Sequence, residues 1–541
     1  MNATLRHRGP DDQGVHVDAE TGVALGARRL SVIDVEGGHQ PLCNERGDVW
    51  AVLNGEIYNH PSLQQHLRAR GHRLATATDT EVLVHLYEDY GDDLVHALEG
   101  MFAFAVWDAR RRRLLIGRDR FGEKPLFYFE HGGTLSFASE LTALCAGADA
   151  EIGGNLDEEA VDAFFVLGYV PGPKTIVDGV RQLAPGHVLT WEHAVQRATV
   201  RSYWSPAPHA PRPAEPHDEL VAETRRLLEA SVRSRMIADV PIGVFLSGGV
   251  DSTLIAALAA AHSSAPIKTF TVGYDVGGVN ETQPAAATAR ALGADHHELI
   301  LSADDVARRV PALLAALDQP LADQALPALH AVAELARRTV TVAIGGEGAD
   351  ELFGGYPRYR WLARATEIER HLPAVVGAQG ARLLNAVPLM GRARRLGDLL
   401  DRRPLLERHL DWVTDRRRGL REQLYGPRLV DHAAQQRVLR HHHELIDGHL
   451  DSSVPGALMH LDQRLWLPDD VLVKADRAGM NVSLEIRTPY LHRELAEFAG
   501  SVAPAAHLAG GGKALLRALL ADVLPAGAAP RRKTAFRVPA A

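Results

Sequence analysis

The sequence predicts an α+β amino-terminal domain built on antiparallel sheets, followed by an α/β doubly wound domain with a parallel sheet and a helical carboxyl-terminal part. Three observations carry this prediction. Short β-type runs crowd residues 28 to 137, strands alternate with helices beyond residue 240, and a proline-rich stretch separates the two patterns. A chain of 541 residues also exceeds what a single hydrophobic core organises.

In the first region RRLSVID (28–34), VWAVLNGEIY (49–58), FAFAVWD (102–108), RLLIGRD (113–119) and LFYF (126–129) are rich in β-branched and aromatic residues and read as strands. TEVLVHLYEDYG (80–91) and the stretch around Leu63 to His66 have helical spacing. Few helices between successive strands imply antiparallel pairing. The segment SPAPHAPRPAEPHDE (205–219) holds five prolines without apolar periodicity and reads as an extended linker, so the domains are placed at 1–204 and 220–541. Beyond it ELVAETRRLLEASVRSRM is an amphipathic helix. VPIGVFL, TFTVGY and TVTVAIGG are strands separated by the helices STLIAALAAA and AAATARALG. Strand–helix alternation of this kind makes a parallel sheet.

A formal net charge of −9 excludes non-specific binding to nucleic acid or anionic membranes through a global field. Any polyanion must be gripped by local donors. Two cysteines, Cys43 and Cys145, are too few for a disulfide framework or a cysteine-type zinc site, and a cytoplasmic location is the natural expectation. No apolar run reaches the roughly 18 residues of a membrane helix. The opening MNATLRHRGPDDQG has no apolar core of a signal peptide. The 27 histidines, including the run His441–His443, show no HExxH spacing and read as solvated surface.

The sharpest motif is VPIGVFLSGGVDSTLIAAL (240–258), a buried strand running through Ser247, Gly248, Gly249, Asp251 and Ser252 into a helix. Glycines allow a tight turn and close approach, and the helix amino terminus directs N–H groups and a positive dipole end at an anion. The lysine and spacing of a Walker A loop are absent. Asp251 is placed to hold Mg²⁺ on a polyphosphate. A second glycine-rich loop, GGEGADELFGGY (345–356), follows the strand TVTVAI and crowds Glu347, Asp350 and Glu351 together, with Asp350 as a second Mg²⁺ contact. Ligands in such sheets sit at the carboxyl ends of strands, so both loops are expected on one crevice. Further on, LPDDVLVKADRAGMNVSLEIRTPYL (467–491) sets Lys474 and Arg477 near one another as cations for a charged transition state.

SGGVDST alone resembles the pyrophosphate loop of the ATP pyrophosphatases. Together with GGEGADELFGGY and LVKADRAGMNVSLEIRTPYL it looks like the synthetase domain of the glutamine-dependent asparagine synthetases. RHRGPDDQG, RRLSVID, LNGEIYN, TDTEV, LEGMFAFAVWD and RDRFGEKPLFY resemble that family's glutaminase domain, an Ntn-hydrolase-like fold. The resemblance covers nearly the whole chain in order. It implies ATP and Mg²⁺, with aspartate and glutamine or ammonia as substrates and asparagine, AMP and pyrophosphate as products by way of β-aspartyl-AMP. Homodimers are common in the resembling family. Leu246, Val272, Gly345 and Gly346 would line the adenylate pocket, and residues Ser247 to Ser252 would hold pyrophosphate. Glu347 matches the family's base for the attacking ammonia, while Arg477, with Lys474 as the second candidate, matches its cation for adenylation. The glutamine positions are Arg29, Leu30, Ser31, Val32 and Ile33, then Asn54, Gly55 and Glu56, and Asp79. Asn54 and the Gly55 N–H would form an oxyanion hole, Arg29 would take the α-carboxylate and Asp79 the α-amino group.

The family's glutaminase nucleophile is an amino-terminal cysteine, whereas residue 2 here is Asn2, and neither Cys43 nor Cys145 can substitute. The chain as written is therefore expected not to hydrolyse glutamine. A start placed some 25 to 30 residues late is one account, favoured by the retained Arg29, Asn54 and Asp79; an ammonia-dependent enzyme is the other. The carboxyl end, GGGKALLRALLADVLPAGAAPRRKTAFRVPAA, resembles the family's late segment but stops early. Two other functions stay open: a related adenylating enzyme acting on another carboxylate, such as a peptide or a β-lactam precursor, and a non-catalytic nucleotide-binding relative.

Overall fold

The structure, a computed structural model, describes residues 1–207, 215–275, 281–371, 403–413 and 453–524, with a few residues between 424 and 444. In the amino-terminal half a six-stranded sheet runs in the order Arg197–Ser202, His187–Glu192, Arg113–Arg118, Gly100–Asp108, Val49–Ile57, Leu42–Cys43, with every pairing antiparallel. Its centre is buried on both faces because alternate residues point opposite ways. Leu53, Phe102, Phe104 and Val106 pack under the helices His60–Ala69 and Glu81–Tyr90. Val52, Ala103, Ala105 and Trp107 pack on the other side with Leu25 of the hairpin Asp12–Asp18/Val23–Arg29. The antiparallel reading holds, with one correction. RRLSVID is a strand only to Arg29; residues 30 to 34 leave the ladder. The Arg29 guanidinium turns back and donates to the carbonyls of Ile33 (2.6 Å), Asp34 (2.8 Å) and Val35 (3.2 Å), which fixes a loop where a strand was expected.

The carboxyl-terminal half holds a five-stranded sheet in the order Asp295–Leu301, Lys268–Tyr274, Ile242–Phe245, Val342–Ile344, Glu485–Arg487, with all pairs parallel. Ile344 faces a core with the helices His217–Arg235, Val250–Ala261 and Ala514–Val523, whereas its neighbour Ala343 faces a second core with Leu326–Arg337. The sheet is thus doubly wound. Counted within this half, the strand order is 3-2-1-4-5, and the reversal falls between Ile242–Phe245 and Val342–Ile344. A crevice opens at such a switch point.

The helix expected after the linker begins at His217, inside the segment read as extended, with Asp218 and Glu219 in its first turn where the helix dipole favours acids. Residues 208–214 of that segment lie outside the described set, as does the basic run near Arg531. Among the histidines, His442 is buried at 1% exposure, against the reading as surface, and His441 lies outside the described residues. Arg8 joins the halves: its guanidinium grips Asp476 through two contacts of 2.7 Å and donates to Glu140 at 3.1 Å, all three side chains being buried. No described helix is long and apolar enough to cross a membrane.

Candidate functional site

The two strands flanking the switch point each end in one of the glycine-rich loops. Ile242–Phe245 leads through Leu246 to Gly249 into the helix Val250–Ala261. Hydroxyls close this loop upon itself: Ser252 Oγ accepts from the Ser247 amide at 3.0 Å, lies 2.9 Å from Ser247 Oγ, and donates to the Ser247 carbonyl at 3.0 Å. Gly249 is the helix N-cap and supplies no side-chain cap, so the helix terminus is left to an outside acceptor. Asp251 lies in the first turn rather than capping it.

Val342–Ile344 leads into Gly345–Gly348 and the short helix Ala349–Phe353. The loops touch: a Cβ on Gly346 would stand 3.3 Å from the Asp251 Cβ. Lys513, which the sequence reading did not single out, joins them, its Nζ lying 2.5 Å from Asp251 Oδ2 and 2.6 Å from Asp350 Oδ1. It stands in the GGGKALLR stretch, and that run of glycines before a lysine was the only available signal.

Between the loops lies a cavity of about 320 Å³, a volume suited to a small ligand. Leu246, Ser247, Gly249, Asp251, Ser252 and Val272 line it from one side. Gly346, Glu347, Asp350, Glu351 and Lys474 line it from the other, with Tyr356 and Trp466 as additions that spacing alone could not supply. Burial, then the adjacent Asp350 charge, pushes the Glu351 carboxyl up to about 7, and Tyr356 donates to it at 2.7 Å. Lys474 pairs with Asp323, and although burial opposes its charge, Asp323 and Asp470 raise its pKa above the ordinary value. Three expected residues stand outside this lining. Gly248 packs on Pro284, and the Gly345 amide donates to the Arg487 carbonyl at 2.9 Å. Arg477 turns away to a two-point contact with Asp318, both distances 2.9 Å, and to Asp476 at 2.5 Å. Lys474 and Arg477, three residues apart, are neighbours on one helix, and their different acidic partners, Asp323 and Asp318, draw the two head groups apart.

The second cavity, about 510 Å³, lies in the amino-terminal half. Arg29, Leu30, Val32 and Ile33 line it from the loop, Asn54, Gly55 and Glu56 from the central strand, and Asp79 from the segment before the helix Glu81–Tyr90. Ser31 is the exception; its amide donates to Asp11 at 2.9 Å. Gly55 has φ of +127°, and a Cβ there would lie 2.0 Å from the Met101 carbonyl oxygen, so the strand's turn toward the cavity demands glycine. Asn54 Nδ2 donates to Ser139 at 3.2 Å. Asp79 accepts from the Ile57 amide at 2.8 Å; burial raises its pKa. Glu56 is held well above the carboxylate range by burial and by the nearby Glu485 and Asp79. Glu485 and Met480 reach this cavity from the carboxyl-terminal half, so both halves build it. Met1 and Asn2 are also part of its wall, whereas Cys43 and Cys145, neither of them in a disulfide, are not.

A parallel-sheet crevice with paired glycine-rich loops, joined to a second cavity on an antiparallel domain, defines a two-site protein of the nucleotide-dependent kind. The family model for asparagine synthase matches residues 223–541 and that for a glutamine amidotransferase domain matches residues 1–204; the chain belongs to the asparagine synthase family. Glutamine-hydrolysing asparagine synthetase 1 of Bacillus subtilis is 36% identical over 100% of this chain and 83% of its own length. A putative glutamine-hydrolysing asparagine synthetase of Mycobacterium bovis is 36% identical over 99% of this chain and 83% of its own. An amidase of Penicillium rubens is 33% identical over 65% of this chain and 54% of its own.

Proposed function

We propose that this chain is an ATP-dependent, asparagine-forming ligase in which the carboxyl-terminal crevice carries out adenylation and amide formation. The observation that carries the reading is the meeting of the two loops across Lys513, at the carboxyl ends of adjacent parallel strands. The whole-length likeness to named asparagine synthetases supports the choice of aspartate as acceptor. In the reaction the β-carboxylate of aspartate attacks the α-phosphorus of ATP and displaces pyrophosphate. Ammonia then attacks the acyl carbon, AMP leaves, and a proton passes from the nitrogen to a base.

In this reading the Ser247–Ser252 turn and its helix terminus bind the departing phosphates, with Leu246 and Val272 against the adenosine. Lys474 and Lys513 offset the charge of the pentavalent phosphorus; Arg477 helps by holding Asp318 and Asp476 rather than by contact. Glu347 removes the proton from the attacking nitrogen. Asp251 and Asp350 fit a magnesium ion: their carboxylates converge on one cation, Lys513, and Asp251 Oδ1 is buried with no hydrogen-bond partner. Magnesium bound there would neutralise polyphosphate charge. The amino-terminal cavity binds glutamine through Arg29, Leu30, Val32 and Ile33, Asn54 to Glu56 and Asp79. Its wall holds no thiol among the described residues; the nitrogen donor is glutamine or ammonia.

Purified protein with ATP, Mg²⁺, ammonium or glutamine and a panel of carboxylic acids, followed by mass spectrometry, tests the reading: aspartate must give asparagine and AMP together. AMP release with a different acid but not with aspartate would overturn it in favour of a related adenylating enzyme acting on another carboxylate. Glu347→Gln is expected to slow amide formation by roughly 10²–10⁴-fold while ATP binding persists.

A further inference from the structure

Away from both cavities, the amino-terminal half gathers two imidazoles and two carboxylates whose ligand atoms all lie within 4.8 Å of one another: Glu45, His72, His85 and Glu88. Three separate pieces of backbone deliver them. Glu45 sits in the turn between Leu42–Cys43 and Val49–Ile57, His72 follows the helix His60–Ala69, and His85 and Glu88 share one face of Glu81–Tyr90 at i, i+3 spacing.

Each donor is aimed. His85 Nδ1 lies 3.1 Å from Glu88 Oε2 and 3.6 Å from Glu45 Oε2, and His72 Nδ1 lies 3.6 Å from the same Glu88 oxygen. An ideal tetrahedral zinc with bonds of about 2.0–2.1 Å needs ligand atoms about 3.3 Å apart, so these separations bracket the requirement. The remaining atoms are held from behind. Glu88 Oε1 accepts from Asn44 at 2.9 Å and from Arg46 at 2.5 Å, and Glu45 Oε1 accepts from the Arg73 amide at 2.7 Å, which leaves each carboxylate's second oxygen for the centre. His72 Nε2 faces Asp89 at 3.3 Å, the kind of carboxylate–histidine backing that fixes the tautomer of a metal-bound imidazole, and Glu81 lies 3.8 Å from His85 Nε2. His85 is fully buried while the Glu45 side chain is 36% exposed, which gives an entry path on one side only. Four carboxylates around two imidazoles leave net negative charge that Arg46 and Arg70, the cations paired with Glu88 and Asp89, offset in part. We propose that Glu45, His72, His85 and Glu88 form a closed zinc site that pins the strand turn and the segment after His60–Ala69 onto the helix Glu81–Tyr90.

The test is a zinc chloride titration of the chelator-stripped full chain against a competing chromophoric chelator. One equivalent per chain is expected, with that equivalent raising the thermal midpoint. In His72→Ala its affinity should fall at least about tenfold, and in Asp89→Asn, which keeps all four ligands, about tenfold. Visible absorption of the cobalt-loaded protein should show tetrahedral nitrogen–oxygen coordination and lose it in His72→Ala. Equal zinc uptake by wild type and both variants would assign the metal to other histidines and overturn the proposal, as would the absence of a stoichiometric equivalent, which would leave a proton-sharing histidine–glutamate cluster instead. Asp89→Asn decides the matter should His72→Ala fail to fold.

Discussion

Lys513 is the residue on which the crevice turns. Its ammonium is buried between Asp251 and Asp350, one from each loop, and without it two carboxylates would face each other at short range. Lys513→Met is therefore expected to lower kcat by about 10²–10³-fold, in line with the loss of one preorganised charge-stabilising donor, while the fold persists. Steady-state AMP formation together with a circular dichroism melt separates the two effects. An unchanged kcat would remove Lys513 from the chemistry and leave it as a clasp. At this scale the sequence disclosed the loop residues, because glycines and acids at fixed spacing have few other uses, but it could not disclose Lys513, which enters the crevice from more than 150 residues further on, after Asp350.

At the scale of elements, legibility followed local chemistry. Val49–Ile57, Gly100–Asp108 and Arg113–Arg118 were readable because β-branched and aromatic side chains alternate across a sheet buried on both faces. The loop after Arg29 was not, since its course is set by a guanidinium reaching back to three carbonyls, and nothing in RRLSVID distinguishes that from a strand. Arg477 was misplaced for a related reason: the choice between crevice and interface depends on Asp318, far away in sequence. Gly55 is the element-scale test. With positive φ and the Met101 carbonyl where a Cβ would go, Gly55→Ala should destabilise the central strand by more than about 1 kcal/mol and distort the glutamine-type cavity. A urea midpoint lower than that of wild type, with weaker binding of a glutamine analogue, is the expected pair of results.

At the scale of the molecule, charge buried between the halves governs stability. Burial tends to raise the Glu140 carboxyl, but the His7 hydrogen bond and the charges of Arg477 and Arg8 outweigh it and hold the group down to about 2. Arg8→Ala would strand Glu140 and Asp476 without their main partner, and a loss of about 3–5 kcal/mol is expected in chemical denaturation. Glu123, whose carboxylate accepts from Thr488 across the same seam, behaves in the opposite sense: burial, then the Asp119 charge, pushes it from 4.5 up to about 8. A folded pKa above the unfolded one means that its contribution is complete below about 4.5 and is lost as the pH rises through about 8. Glu123→Gln should therefore melt with less pH dependence than wild type between pH 5 and 8, as differential scanning calorimetry would record; parallel curves would refute the assignment. The change from antiparallel to parallel pattern was plain in the sequence, yet this seam was not, because each half's sequence reads as self-sufficient.

The Arg8–Asp476 clasp also bears on how the chain is made. Its partners are 468 residues apart. At a synthesis rate of about 5–20 residues per second, the arginine leaves the ribosome roughly half a minute to a minute and a half before its acid exists. During that interval the guanidinium has Glu140 of its own half as acidic partner, and the two-point grip on Asp476 forms only after most of the second half has been translated.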